Sequence, residues 1–133
     1  MIHRGRSEER GSITVEFALV LPFIMMAMLA VLQAGVTGAS HIMVSQAARE
    51  GARQATTADN DAEISQAAYA AAGLIPSDRL TVSWNASRGW STGAPVTVIA
   101  SAEVPCVFPA LSKVWPSAFK TRATSTMRLE KDR

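Results

Sequence analysis

An uninterrupted apolar run near the N-terminus limits what this chain of 133 residues can fold into. Residues 17–32 read FALVLPFIMMAMLAVL and contain no polar side chain. Residues 33–36 extend the mostly apolar segment to roughly 20 residues, which is about 30 Å of helix and enough to cross a bilayer. A buried helix of a soluble domain would show a polar stripe at helical spacing, and none is present. The sequence therefore predicts a transmembrane helix over residues 12–37.

The charges on either side of this segment predict its orientation. Three bases precede it, Arg4, Arg6 and Arg10, whereas the first base after it is Arg49. Because basic flanks are retained in the cytoplasm, we expect residues 1–11 to be a cytoplasmic leader and residues 38–133 to form an extracytoplasmic domain. The predicted location is the cytoplasmic (inner) membrane, crossed once.

A cleaved secretory signal peptide is the main alternative for the apolar segment. Thr37, Gly38 and Ala39 resemble a small-residue cleavage site after an apolar stretch. However, the run is longer than an ordinary signal core, Pro22 interrupts it and Glu16 lies at its start. These features favour a span that stays in the mature protein, with a possible kink at Pro22.

Composition and charge argue against nucleic-acid binding and against a disulfide framework. The 13 Lys and Arg residues exceed the 11 Asp and Glu residues by only two, and after Arg49 the bases are interleaved with acids. Cys106 is the single cysteine, so no internal disulfide can form. Its favoured interpretation is a small half-buried apolar residue rather than a reactive thiol.

Catalytic and metal-binding patterns are absent from the sequence. His3 lies in the tail and His41 near the outer membrane boundary, so the domain lacks the histidines of a metal site or a nucleophile and base pair. The acidic cluster of Asp59, Asp61 and Glu63 is explained by its place at a helix start. We therefore expect no enzyme, no cofactor, no metal and no small-molecule substrate.

The segment that follows the span is predicted to continue as helix with a stripe of small residues. Apolar residues recur at spacings of three and four, namely Val44, Ala47, Ala48, Gly51, Ala52 and Ala55. Such a stripe permits close approach, and packing against the protein's own domain is favoured over a seam between subunits. Within the span, Ala30, Ala34 and Gly38 repeat the four-residue spacing of associating membrane helices.

The rest of the chain predicts an α+β domain with a short helix and a three-stranded antiparallel sheet. Asn60 and Glu63 form a capping box before a helix over residues 61–72, which Gly73 and Pro76 end. Three segments alternate apolar and polar residues as half-buried strands do, at 80–85, 96–104 and 120–129. Three aromatic residues lie in the connecting loops and are expected to cover the core rather than to contact a partner: Trp90, Phe108 and Trp115.

The junction of tail and span carries the most specific pattern. Residues 11–22 read GSITVEFALVLP, so a glycine follows the charged leader, and a glutamate and an aromatic residue open the apolar run. This resembles a type IV prepilin-like signal, and the chain is similar to the TadE-like pseudopilin family of the tight-adherence (Tad/Flp) pilus apparatus. The segments QAAREGAR at 46–53 and ATSTMRLE at 123–130 extend the resemblance.

The resemblance implies a minor pilin-like subunit for the assembly or export of Flp-type pili. It implies that a prepilin peptidase cuts after Gly11, so that Ser12 becomes the N-terminus and Glu16 the fifth mature residue. The implied partners are the lipid bilayer, other pilin-like subunits, the Tad/Flp assembly machinery and the peptidase. Helix packing is assigned to the aromatic, proline and small residues of the helix: Phe17, Pro22, Ala30, Ala34, Gly38, Ala48, Gly51 and Ala52.

Two interpretations of Glu16 and two of the whole protein stay open at this point. A carboxylate at the centre of a membrane helix costs roughly 2.5 to 3.5 kcal/mol, and less near the interface. Glu16 is therefore either solvated at the cytoplasmic edge or paired with a cation such as the amine of Ser12 on a neighbouring subunit. The alternative to a pilus subunit is a membrane-anchored extracytoplasmic binding module that uses Trp90 or Trp115 to hold a ligand.

Overall fold

The computed structural model describes residues 5–86, 90–107 and 118–130, with side chains from Ser12 onward. The chain divides into two compact units, Met1–Ala34 and Gly35–Arg133. Phe108 and Trp115 lie outside the described residues, and so do the expectations that concern them.

Helix α1, Gly5–Ala55, accounts for 51 residues of the chain. It begins within the predicted leader and continues through Pro22. Among the described residues, the part from Ser12 to Ala55 is the one helix that is long and apolar enough to cross a membrane. The small residues after the span are good helix formers or tolerate close packing, which lets the same helix continue into the second unit.

Helix α2, Asp61–Ala71, starts and stops where its capping residues predict. The side chain of Asn60 accepts a hydrogen bond from the amide of Glu63 at 3.0 Å. The carboxylate of Glu63 in turn accepts from the amide of Asp59 at 3.3 Å, one residue earlier than an ideal capping box. Gly73 then adopts a left-handed conformation with φ of 62°, which ends the helix.

Three antiparallel strands follow in the order β1-β2-β3. They are β1 (Leu80–Ala86), β2 (Pro95–Pro105) and β3 (Ala118–Arg128). The central strand β2 aligns Ala100 with Val82 on one side and with Ala123 on the other. Fully buried residues alternate with partly buried or exposed residues along β2 as the sequence predicted, so the sheet has one inner and one outer face.

The inner face of the sheet packs against small residues of α1 and against α2. One cluster of buried residues includes Ala52, Ile64 and Val98, and a second includes Ala48 and Ala100. Trp90 is half-buried and packs against the first cluster, which confirms the packing role predicted for it. The predicted fold class, α+β with a long N-terminal helix and a three-stranded antiparallel sheet, is confirmed.

Candidate functional site

The N-terminal part of α1 is the candidate functional site because its apolar side chains are exposed. From Ile13 to Leu32 large apolar side chains cover every side of the helix, with exposed fractions such as 60% for Phe17 and 71% for Phe23. A helix that is apolar on all sides requires an apolar environment, either lipid or other helices. One such helix near the N-terminus is consistent with a single-pass membrane protein.

Glu16 lies at the N-terminal end of this apolar surface. Its side chain is exposed, and residues 12–20 on either side of it include no base. One turn of helix separates Glu16 from Ser12, whose side chain is also exposed. No base of α1 lies within one helical turn of the carboxylate. A cation from another molecule can therefore pair with it.

Gly11 and Ser12, the predicted processing position, both lie within α1. A peptidase must bind this segment as an opened backbone, so the helix has to unwind locally before a cut can occur. Glycine is roughly 1 kcal/mol less favourable than alanine inside a helix, which lowers the cost of opening at this residue.

The small residues assigned to helix packing fall into two groups. Ala34 and Gly38 are exposed, Ala30 is half-exposed, and a Cβ atom built on Gly38 would meet nothing within 4 Å. Ala48 and Ala52, in contrast, are fully buried in the core clusters of their own domain. The structure thus leaves the first group open to another molecule and uses the second group internally.

Gly51 lies where α1 closely approaches both α2 and β2. A Cβ atom at this position would lie 3.2 Å from the Cβ of Ala68 in α2 and 3.2 Å from a methyl group of Val98 in β2. Such distances are tighter than ordinary van der Waals contact. The lack of a side chain at Gly51 therefore allows helix, helix and sheet to meet at one point.

Two polar contacts on α1 were not predicted from the sequence. The guanidinium of Arg53 donates to the carboxylate of Glu50, with Nε and Oε2 3.0 Å apart, and this hydrogen bond lowers the pKa of Glu50. The Nδ1 atom of His41 lies 2.9 Å from the hydroxyl of Thr121, which is buried in β3. The second contact joins α1 to a strand 80 residues away. Sequence spacing signals the first contact but gives no sign of the second.

Metal-ligating side chains do not cluster in the described part of the chain. No group of three or more His, Cys, Asp or Glu side chains that could hold a metal ion is found there. Trp84 and Trp90, the two tryptophans among the described residues, both pack against the first core cluster.

Comparison with known proteins supports the choice of the N-terminal part of α1 as the candidate functional site. Residues 11–53 match the family model described as TadE-like protein. The match confirms the resemblance over this segment and is consistent with a TadE-like component of the Tad pilus. It begins at Gly11 and includes Glu16, the exposed small residues and the segment at 46–53, whereas the likeness of the closing strand stays a prediction. No curated protein and no solved structure matches the chain.

Proposed function

We propose that this chain is a membrane-anchored, pilin-like subunit of a tight-adherence pilus system that acts by helix association and not by catalysis. The single observation that carries the proposal is the match of residues 11–53 to the TadE-like family, since these residues include the whole apolar surface of α1. In this proposal the leader stays in the cytoplasm and the unit Gly35–Arg133 lies outside the membrane.

The distribution of small residues supports association through the first part of α1. Ala48, Gly51 and Ala52 are occupied by contacts within their own domain, so they are not available to another subunit. Ala34 and Gly38 remain exposed and have the four-residue spacing that lets membrane helices approach closely. Phe17 and the other large apolar residues would contact lipid or the neighbouring helices around this seam.

Glu16 supplies a charged group to the proposed association between helices. An ionised carboxylate at the edge of an apolar span is stabilised when a cation on another subunit lies against it. If a prepilin peptidase removes the leader, the new amine at Ser12 is such a cation. Its depth in the membrane differs from that of Glu16 by about one helical turn. Trimming and assembly are linked in this way, because the cut produces the partner group.

The experiment that tests the proposal is an intact-mass measurement of membrane-extracted protein from the native cells. We expect a mature chain that starts at Ser12 and co-purifies with other pilus subunits. Gly11→Val should leave membrane insertion unchanged and prevent trimming, because a branched side chain obstructs backbone entry into the peptidase site.

A matched control is available within the leader. Gly5→Val makes the same substitution six residues away and should leave trimming intact. A wild-type chain that starts at Met1 would favour a simple anchor, and a start at Ser40 would favour a secreted domain. Trimming that proceeds normally in Gly11→Val would show that the cut lies elsewhere.

A further inference from the structure

Two of the exposed apolar side chains of the second unit, Val36 and Leu74, line the same cleft. Among its described residues, the large apolar side chains with high exposure are Val36, Ile42, Tyr69, Leu74 and Val107. Leu74 is the most exposed of them, at 87%. It lies in the turn between α2 and β1, directly after Gly73, and no packing within the domain accounts for a leucine at this place.

A cleft connects this turn to the start of the second unit. Its volume is about 270 Å³, and it is lined mainly by apolar residues of α1 such as Val36 and Met43, by the turn residues Leu74 to Pro76 and by the end of β2 at Pro105. Arg79 and Glu103 are the charged residues of its lining. Val107 follows two residues after Pro105. Val36 and Leu74 both line this cleft, so the most exposed apolar residue and the start of the second unit share one surface, which we call the proximal surface: Val36, Met43, Leu74, Ile75, Pro76 and Pro105.

The position of Val36 in the chain fixes how far this surface can lie from the membrane. Residues 17–36 make about 30 Å of helix, which is the thickness of the hydrocarbon core, and Val36 is the last of them. The headgroup and interfacial layers together add roughly 10 to 15 Å to this core, or 5 to 8 Å on each side. If α1 spans the membrane, Val36 lies where the hydrocarbon core meets the outer interfacial layer, and side chains that share its cleft lie beside that layer.

We propose that the turn formed by residues 73–79, with Leu74 at its tip, inserts into the outer interfacial layer as a second membrane contact. This inference rests on membrane insertion of α1, which is part of the proposed function, but not on a role in pili. Leu74, Ile75 and Pro76 supply apolar side chains to the boundary of headgroups and acyl chains. The contact holds the domain against the membrane surface instead of leaving it free on the end of a helix.

The charges beside the turn determine which lipids it requires. Asp78 and Arg79 end the turn, and Glu103 pairs with Lys120 at 3.3 Å. Two acids and two bases thus border the proximal surface, so their net charge is zero. The contact is therefore apolar in origin and does not depend on anionic lipid, while Arg79 can extend its guanidinium toward phosphates.

Depth-dependent fluorescence quenching tests the insertion directly. The full chain carrying Cys106→Ser would be reconstituted into phosphatidylcholine vesicles that contain lipids with a nitroxide on the acyl chain. An environment-sensitive fluorophore would be attached at Leu74→Cys. Because Leu74 is 87% exposed, this substitution removes little packing of the domain.

Two further labelled variants serve as references. Ser91→Cys is exposed and lies in the loop before β2, at the end of the domain where Glu130 bonds to Thr56. Phe23→Cys lies in the middle of the apolar run. We expect lipid nitroxide to quench the labels at residues 23 and 74, and aqueous iodide to quench the label at residue 91. Adding phosphatidylglycerol should leave the quenching at residue 74 unchanged.

The other outcomes overturn the inference in distinguishable ways. If iodide quenches the label at residue 74 as strongly as the one at residue 91, the turn lies in water. If neither quencher reaches residue 74, another protein or a second copy of the chain covers it. A requirement for phosphatidylglycerol would contradict the apolar origin of the contact. If lipid nitroxide fails to quench the label at residue 23, α1 does not insert, and membrane anchoring fails together with this inference.

Discussion

Glu16 is the only acidic residue between positions 10 and 49, and it lies at the start of an apolar surface with no base among residues 12–20 around it. Glu16→Gln keeps the size and hydrogen bonding of the side chain and removes its charge. We expect the variant to be inserted and trimmed normally, because removal of a charge from the span lowers its insertion cost. It should fail to join the assembly, since the attraction to a cation in a poorly hydrated site exceeds the roughly 0 to 1 kcal/mol of an exposed pair.

Complementation of a deletion strain measures this effect through surface pili and co-purified subunits. Glu50→Gln is the matched control, because it makes the same substitution on α1 at a carboxylate that bonds to Arg53 within its own helix. We expect this control to restore piliation. Full piliation with Glu16→Gln would mean that Glu16 is a solvated edge residue and that the exposed small residues carry association.

Gly51 allows a sharp test of packing at a single residue. Gly51→Val adds three carbon atoms where even a Cβ atom would lie 3.2 Å from Ala68 and from Val98. We expect the free energy of unfolding to fall by about 1 to 3 kcal/mol, the usual cost of overpacking a well-packed core. Chemical denaturation of the full chain in detergent micelles, followed by tryptophan fluorescence, measures the change through the half-buried Trp84 and Trp90.

The same substitution at an open glycine controls for helix propensity. A Cβ atom at Gly35 would meet nothing within 4 Å, so Gly35→Val should change the free energy of unfolding by at most about 0.5 kcal/mol. Equal destabilisation by both variants would show that valine is disfavoured in α1 itself and that the contact at Gly51 is unimportant.

At the scale of elements, α2 depends on its N-terminal cap. Asn60→Ala removes the acceptor for the amide of Glu63 and leaves this backbone donor without its partner. We expect a loss of about 1 kcal/mol in the free energy of unfolding, within the range of 0.5 to 2 kcal/mol for such caps. Denaturation in detergent monitored by circular dichroism measures it, and Asn60→Ser, which keeps an acceptor, should recover most of the loss. An unchanged midpoint in Asn60→Ala would mean that packing of Ile64 alone fixes the helix start.

The sequence predicted the elements well because their signals are local. The cap at Asn60, the stop at Gly73 and the alternation along the strands each depend on a few neighbouring residues, and all three occur in the structure. The start of α1 was not predicted, since the helix continues into the leader as far as Gly5. The return bond of Glu63 to Asp59 depends on a side-chain rotamer, which no sequence pattern specifies.

The contacts between helices and strands could not be predicted from the sequence, for a physical reason. The approach of His41 to Thr121 and of Gly51 to Val98 depends on how α1 is aligned with the sheet, and periodicity identifies a face without giving its partner. For the candidate site, the resemblance to a prepilin-like signal implied the role of Gly11, the position of a carboxylate at the start of an apolar run indicated Glu16, and the structure adds the exposure of Glu16. The apolar turn at Leu74 was missed because a single leucine after a helix stop carries no pattern.

At the scale of the whole molecule, one helix serves two different environments. Before residue 34 its apolar side chains are large and exposed, whereas after residue 43 they are mainly small and buried against the domain. Large side chains are suited to contact with lipid, and small ones allow a sheet to approach the helix closely. The change in residue size along α1 therefore separates the part with a continuous exposed apolar surface from the part that builds the domain.

The charge asymmetry around the span leads to the last prediction, which concerns topology. Three arginines precede the apolar run, and its other side has no base before Arg49, so we expect the domain to face outward. Protease added to intact spheroplasts should remove the domain while a cytoplasmic marker protein survives. Replacing Arg4, Arg6 and Arg10 with glutamine removes the bias and should leave a fraction of the domains protected. If the wild-type domain survives until the membrane is broken, it lies in the cytoplasm, where it would be on the wrong side for an outward-growing pilus.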